Sequence, residues 1–208
     1  DYKKLVPIIK ESGIIVISDE IYAELSYEHE FCSLASFPEI KDQVIVVSGF
    51  SKAFAMTGWR LGYLLSNSIL SSAMVKIHQY IMMSAPTAAQ YGALEGLKYC
   101  DDEVEEMRNA YMARRNYLVK EFNDMGLHTF KPQGAFYVFP SIESTGLTSE
   151  RFCEALLKDQ KVACVPGNAF GDSGEGFIRV SYAYSLEELK IAVEKIKIFL
   201  DKLKNKDI

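Results

Sequence analysis

Apolar residues fall along this chain in two kinds of pattern. Short unbroken runs stand at Ile14-Ile15-Val16-Ile17, at Val44-Ile45-Val46-Val47 and from Leu61 to Leu65, each bounded by small or polar residues. Runs of this length, rich in branched side chains, read as buried strands. Elsewhere apolar residues recur with a helical period: Leu5, Val6, Ile8 and Ile9 ahead of Gly13, then Ile69 to Met83, then Thr87 onward. Gly13 ends the first segment as a C-terminal glycine does, and Pro86 disfavours helix at the residue before it. Residues 28–43 contain Pro38 and read as a loop or short helix. Alternation of helix and strand in this order is the signature of α/β packing.

The helical period continues through Val104, Met107, Tyr111, Tyr117, Leu118 and Phe122 to Gly126, with a break near Cys100-Asp101-Asp102. Beyond it the pattern changes again. Ala135 to Phe139, Val162 to Val165 and Phe177 to Tyr182 read as short strands, and Ser149 to Asp159 as a helix. Leu186 to Leu203 reads as a closing amphipathic helix whose apolar side is Leu186, Leu189, Ile191, Val193, Ile196, Ile198, Phe199, Leu200 and Leu203. Ser185 followed by Glu188 has the spacing of a capping box. The expected organisation is a first α/β portion over residues 1–95, a connecting helical segment over 96–126 and a smaller α/β domain over 127–208.

Composition narrows the function classes. The 208 residues suffice for one or two domains at roughly 100–200 residues each. Hydrophobic residues make up 49%, which supplies a sizeable core and argues against global disorder. Acidic side chains number 28 against 23 basic ones, mixed along the chain for a net charge of −5, so no nucleic-acid surface is expected. Cys32, Cys100, Cys153 and Cys164 lie far apart without a CxxC, which suggests neither a zinc site nor a disulfide framework but buried or inert free thiols in a reducing compartment. His29, His78 and His128 form no metal-ligand pattern, so no metal is expected. No apolar run approaches the ~20 residues that span a bilayer, and no signal peptide is evident, so a cytoplasmic location without membrane attachment is expected.

The candidate chemistry gathers at the strand ends. Lys52 lies just past the run that ends at Val47, flanked by Ser51 and Arg60. Ligands of α/β sheets bind at the C-terminal ends of strands. A hydroxyl and a guanidinium fork suit a phosphate, and an amine held beside them can form a Schiff base with a carbonyl. Asp19 emerges at the end of the Ile14–Ile17 run and so is expected on the same rim. Arg179 interrupts an apolar strand run, where an unpaired charge would be expensive.

Four motifs carry a resemblance. They are Ser18-Asp19-Glu20-Ile21-Tyr22; Ser51-Lys52 with Met56-Thr57-Gly58-Trp59-Arg60-Leu61-Gly62-Tyr63; Pro132-Gln133-Gly134-Ala135-Phe136-Tyr137; and Phe177-Ile178-Arg179-Val180-Ser181-Tyr182-Ala183. In these residues and their order the chain closely resembles the fold-type I pyridoxal-phosphate enzymes, and within them the class I/II aminotransferases. The fold this implies is part of the large-domain sheet plus the small C-terminal α/β domain. The resemblance assigns Lys52 to the cofactor Schiff base and to proton transfer, Asp19 to the ring nitrogen and Tyr22 to the ring 3-oxygen. It assigns Ser51 and Arg60 to the phosphate, and Arg179 to the substrate α-carboxylate. Many members carry a serine three residues before the lysine, where this chain has Gly49, so Ser48 is left without a role.

The implied activity is amino-group transfer from an L-amino acid to a 2-oxo acid with pyridoxal 5'-phosphate. A β-eliminating lyase on the same scaffold and a non-catalytic sensor domain of a transcription regulator are the alternatives. Ser84 to Thr87 matches a segment of the family's dimer interface, which implies a homodimer. No arginine stands just before Ser84, which disfavours a strict aspartate enzyme of the dicarboxylate kind. The resemblance also places the ring-stacking aromatic, the main phosphate loop and an asparagine for the 3-oxygen upstream of Asp1.

Overall fold

The computed structural model describes residues 2–205 and divides into two units, Asp1–Arg108 and Asn109–Ile208. In the first unit, helix α1 (Tyr2–Ser12) leads into a three-stranded sheet of β1 (Val16–Asp19), β2 (Val44–Gly49) and β3 (Gly62–Leu65). β1 and β2 run parallel with Val16 opposite Val44 and Asp19 opposite Val47, while β3 runs antiparallel to β2. Val6 and Ile9 of α1 pack with Val44, Val46, Leu34 and Ile40 into one cluster, and Val16 leans on it. Short 3-10 turns fill residues 34–43, as the mixed composition around Pro38 anticipates.

The sheet corrects one sequence expectation. The run Ile14–Ile17 is not a buried strand: the strand begins two residues later, and Ile14, Ile15 and Ile17 are exposed, Ile17 by 70%. The cause is the period of two along a strand, which turns Val16 to the α1 cluster and Ile17 to the opposite face. All four residues of β3 are likewise exposed. Downstream come α2 (Phe50–Ala53), α3 (Ser68–Ile81), α4 (Thr87–Tyr99) and α5 (Asp101–Asp124), with the expected breaks before Thr87 and at Cys100. No described helix is long and apolar enough to cross a membrane.

The second unit packs α6 (Ser149–Gln160) and α7 (Leu186–Asn205) with an antiparallel sheet in the order β4 (Tyr137–Val138), β6 (Ile178–Ser181), β5 (Val165–Pro166). β4 and β5 are only two residues long, shorter than the apolar runs suggest, because Ala135 takes a left-handed φ of 60° and the residues before Val165 leave the ladder. Phe122, Phe152, Leu156, Ile178 and Phe199 are fully buried, and Phe152 meets Phe199 edge to face at 5.3 Å. The apolar side of α7 is narrower than the sequence implies: Leu189, Val193, Ile196, Phe199 and Leu200 are buried, whereas Ile191 and Ile198 are exposed. Those two fall outside the stripe of three- and four-residue steps that faces the core. The capping box forms as expected, with Glu188 N–H donating to Ser185 Oγ and Ser185 N–H donating to Glu188 Oε2, both at 3.2 Å.

Candidate active site

The rim of the first sheet is stitched by short polar contacts. Glu20 N–H donates to Val47 O at 2.8 Å, and Ser48 Oγ donates to Glu20 O at 3.3 Å, which holds the residues after β1 against the end of β2. The Glu20 side chain turns inward, where Oε1 accepts from Ser18 Oγ at 3.0 Å, Ser33 Oγ at 2.9 Å and Leu34 N–H at 3.2 Å. A buried carboxylate is tolerated when donors satisfy it, and these three do so. Its neighbour Asp19 points the other way. Asp19 is exposed at the C-terminal end of β1, with Oδ1 accepting from Ile21 N–H at 3.2 Å.

Lys52 sits on the single turn of α2 that follows β2. Phe50 and Ala53 of that turn are buried, and Phe50 and Met56 pack with Ala93 of α4, so Ser51 and Lys52 are left half-buried on the outer side. Lys52 Nζ lies 6.0 Å from the centre of the Tyr22 ring. Thus Asp19, Tyr22 and Lys52 share the edge where the parallel strands end, as the sequence reading expected of Asp19 and Lys52.

The loop after Lys52 closes on itself. Thr57 Oγ1 donates to Ser51 O at 2.9 Å, Met56 N–H donates to Phe50 O, and Arg60 Nη1 donates to Thr57 O at 2.7 Å. Ala55 and Arg60 take left-handed φ values of 52° and 56°. Side-chain-bearing residues hold that conformation at a cost of roughly 1–2 kcal/mol each, and such outliers concentrate at functional turns. Thr57 was not singled out by sequence reasoning, although it stands within the Met-Thr-Gly-Trp-Arg run. It is the residue that ties Ser51 to Arg60.

Gly49 has a steric reason to be glycine. A Cβ there would stand 2.9 Å from the Gly62 Cα and 3.0 Å from Leu61 O, where β2 and β3 pair. A serine at that position would collide with backbone on the neighbouring strand. Close packing repeats on α4, where a Cβ on Gly92 would meet the Trp59 ring at 2.9 Å.

Arg179 belongs to the second unit. It lies on β6 opposite Val165 of β5, half-buried, with its guanidinium carbon 4.4 Å from the Phe170 ring centre and 4.6 Å from that of Tyr137. Two aromatic faces offer a planar cation favourable contact without neutralising it. The strand bearing Tyr137 is anchored by Tyr182 OH donating to Ala135 O at 3.0 Å. Phe170 sits in a 3-10 turn, Gly167–Phe170, outside the apolar runs.

All four cysteines are free thiols, as expected; Cys153 is buried but Cys32 is exposed, and Cys153 and Cys164, eleven positions apart, place their sulfurs 3.3 Å from each other. No group of three or more His, Cys, Asp or Glu able to hold a metal occurs among the described residues.

Comparison with known proteins gives one consistent result. The family described as Aminotransferase class I and II matches residues 1–196. The chain is 53% identical over 202 residues to the "Putative aminotransferase YugH" of Bacillus subtilis, a match covering 97% of this chain and 52% of that protein. It is 44% identical over 203 residues to an "Aspartate aminotransferase" of Pyrococcus abyssi, covering 95% of this chain and 51% of that one. Among solved structures it superposes on an aromatic aminotransferase from Pyrococcus horikoshii with a TM-score of 0.93 at 44% identity, covering 98% of this chain and 55% of that chain. The chain therefore spans about half the length of the curated relatives it matches. On the match of sequence, fold and strand-end motifs together, this chain belongs to the class I and II aminotransferase family, with the fold-type I α/β architecture.

Proposed function

We propose that the protein of which these residues form the matched half transfers amino groups between an L-amino acid and a 2-oxo acid with pyridoxal 5'-phosphate. The observation that carries this reading is the placing of Lys52 Nζ 6.0 Å from the Tyr22 ring on a rim that also bears the exposed Asp19 carboxylate. An acid, a phenol, an amine and a hydroxyl on one sheet edge match, group for group, a ligand with a basic ring nitrogen, a phenolic oxygen, an aldehyde and a phosphate. Bound there, pyridoxal phosphate would supply an electron sink that weakens the bonds at the substrate Cα.

Each residue then has a defined task. Asp19, an exposed carboxylate, holds a proton on the ring nitrogen by hydrogen bond. Lys52 would anchor the aldehyde carbon through Nζ and, once displaced by the substrate amine, Nζ would be the base that carries the Cα proton to the cofactor carbon. Tyr22 donates to the 3-oxygen. Ser51 Oγ and the guanidinium N–H groups of Arg60 not engaged with Thr57 bind the phosphate. Arg179 takes the α-carboxylate in a bidentate grip, and the aromatic faces of Tyr137 and Phe170 hold the plane of that fork.

The test is borohydride reduction of the complete protein with pyridoxal phosphate, followed by peptide mapping. A phosphopyridoxyl group on Lys52, and a fall in kcat of at least ~10²–10⁴ in Lys52→Ala, are the expected results. Labelling scattered over several lysines, or Lys52→Ala retaining full turnover, would sink this reading.

A further inference from the structure

Cys153 stands on α6, and Cys164 lies in the segment just before β5, eleven positions later. Their sulfurs are 3.3 Å apart in a thiol–thiol hydrogen bond. Cys153 is 8% exposed, whereas Cys164 is half-buried and lines a cavity of about 370 Å³ together with Val162, Val165 and Leu189. The cavity opens a path for a small molecule to one sulfur of the pair. The backbone on that side is free of regular structure from Lys161 to Cys164, so it can yield without unwinding α6.

We propose that Cys153 and Cys164 are a modification site, a dithiol that a hydroperoxide converts to an intramolecular disulfide. A bonded pair needs a sulfur separation of about 2.05 Å, so the two sulfurs must close by a little over one ångström from the 3.3 Å observed. The hydrogen bond between the pair holds the Cys153 thiol below the usual cysteine range, which favours Cys153 as the resolving nucleophile, and that bond together with burial pushes Cys164 up. Two thiols in contact are an arrangement in which oxidation of one can be resolved by the other within the protein.

The chemistry balances with the peroxide as the sole oxidant. The Cys164 sulfur, the one that lines the cavity, attacks a peroxide oxygen: an S–O bond forms, the O–O bond breaks, and the departing hydroxide takes the Cys164 proton and leaves as water. The Cys153 sulfur then displaces the hydroxyl, an S–S bond forms as the S–O bond breaks, and water departs with the Cys153 proton. Two thiols lose two electrons and two protons, and hydrogen peroxide becomes two waters. A dithiol reductant reverses the change by thiol–disulfide exchange.

The site also touches the second unit's sheet. Val165, next to Cys164, pairs with Arg179 across β5 and β6. The cross-link therefore pulls on the strand that backs this arginine, and any effect on substrate affinity rests on the carboxylate role proposed for it.

The experiment treats the complete protein with equimolar hydrogen peroxide, alkylates it with iodoacetamide in denaturant and maps the unreduced peptides by mass. The expected product joins the Cys153 and Cys164 peptides with loss of two hydrogens, and dithiothreitol restores two alkylated cysteines. Exposed Cys32 serves as the internal measure of peroxide exposure. Cys153 and Cys164 both recovered alkylated while Cys32 is oxidised would overturn the proposal. So would their conversion to sulfonic acids with no linked peptide. Neither readout depends on amino-group transfer, so failure here leaves the catalytic reading standing.

Discussion

The lysine rim and the Arg179 strand hold their functional groups by different means. Around Lys52 the groups are set by hydrogen bonds between close neighbours in sequence: Thr57 to Ser51, Arg60 to Thr57, and Ile21 to Asp19. Around Arg179 they are set by packing, with aromatic rings from residues 137 and 170 on a strand whose neighbours Ile178 and Tyr182 are fully buried. The supporting cores differ in the same way. In the first unit Ile17, Tyr63, Leu64 and Leu65 are exposed on the sheet, and α3 has no buried residue. In the second, Phe122, Phe152 and Phe199 are sealed. The turn that bears Lys52 is closed on its own backbone over buried Phe50, Ala53 and Met56, whereas the guanidinium on β6 is held between two aromatic rings.

Paired truncations test this contrast most strongly. Phe152→Ala is expected to destabilise by ~3–5 kcal/mol, the range for emptying a sealed aromatic site. Ile17→Ala, at 70% exposure, is expected to change stability by under ~0.5 kcal/mol. Denaturant unfolding of the 208-residue chain measures both. A cost for Ile17→Ala comparable to that of Phe152→Ala would mean that the face bearing Ile17 is packed, and the contrast between the units would vanish.

A smaller effect is expected from Gly49→Ser, which installs the residue that many family members carry. The collision with Gly62 forces β2 and β3 apart, at a cost of ~1–3 kcal/mol, and cofactor affinity should fall with it because Lys52 lies three residues on. Titration of pyridoxal phosphate by absorbance measures the change; an unaltered affinity and midpoint would show that the strand pair yields freely. The smallest effect belongs to Phe170→Leu, which removes one aromatic face from Arg179. A loss of ~0.5–1 kcal/mol should appear as a few-fold rise in KM with kcat unchanged, the pattern of lost ground-state binding. A fall in kcat alone would place Phe170 elsewhere in the reaction.

Much of this arrangement was legible in the linear chain, for reasons that can be named. Strand ends are marked where apolar runs stop, which puts Asp19 and Lys52 on one rim from the linear pattern alone. The breaks at Pro86 and Cys100 follow from local backbone chemistry, as does the Ser185–Glu188 cap. Local pattern is silent about burial on the second face of a sheet. Ile17 and Leu64 have the composition of core residues and are exposed, because a run of branched side chains does not reveal which layers cover it. Similarly, Ile191 and Ile198 fit an apolar helix yet fall outside the stripe that meets the core.

By itself, then, the sequence determined the α/β class, the order of the elements, the family, and the residue types that meet at the strand ends. Each of these depends on interactions across a few residues, or on motifs whose spacing survives in the chain. Only the tertiary structure decided that Glu20 turns inward while Asp19 turns out, that Gly49 must lack a side chain, that Phe170 faces Arg179, and that Cys153 meets Cys164. Those are contacts between residues brought together by strand pairing and helix packing, and linear spacing carries no record of which distant neighbours will share a few ångströms.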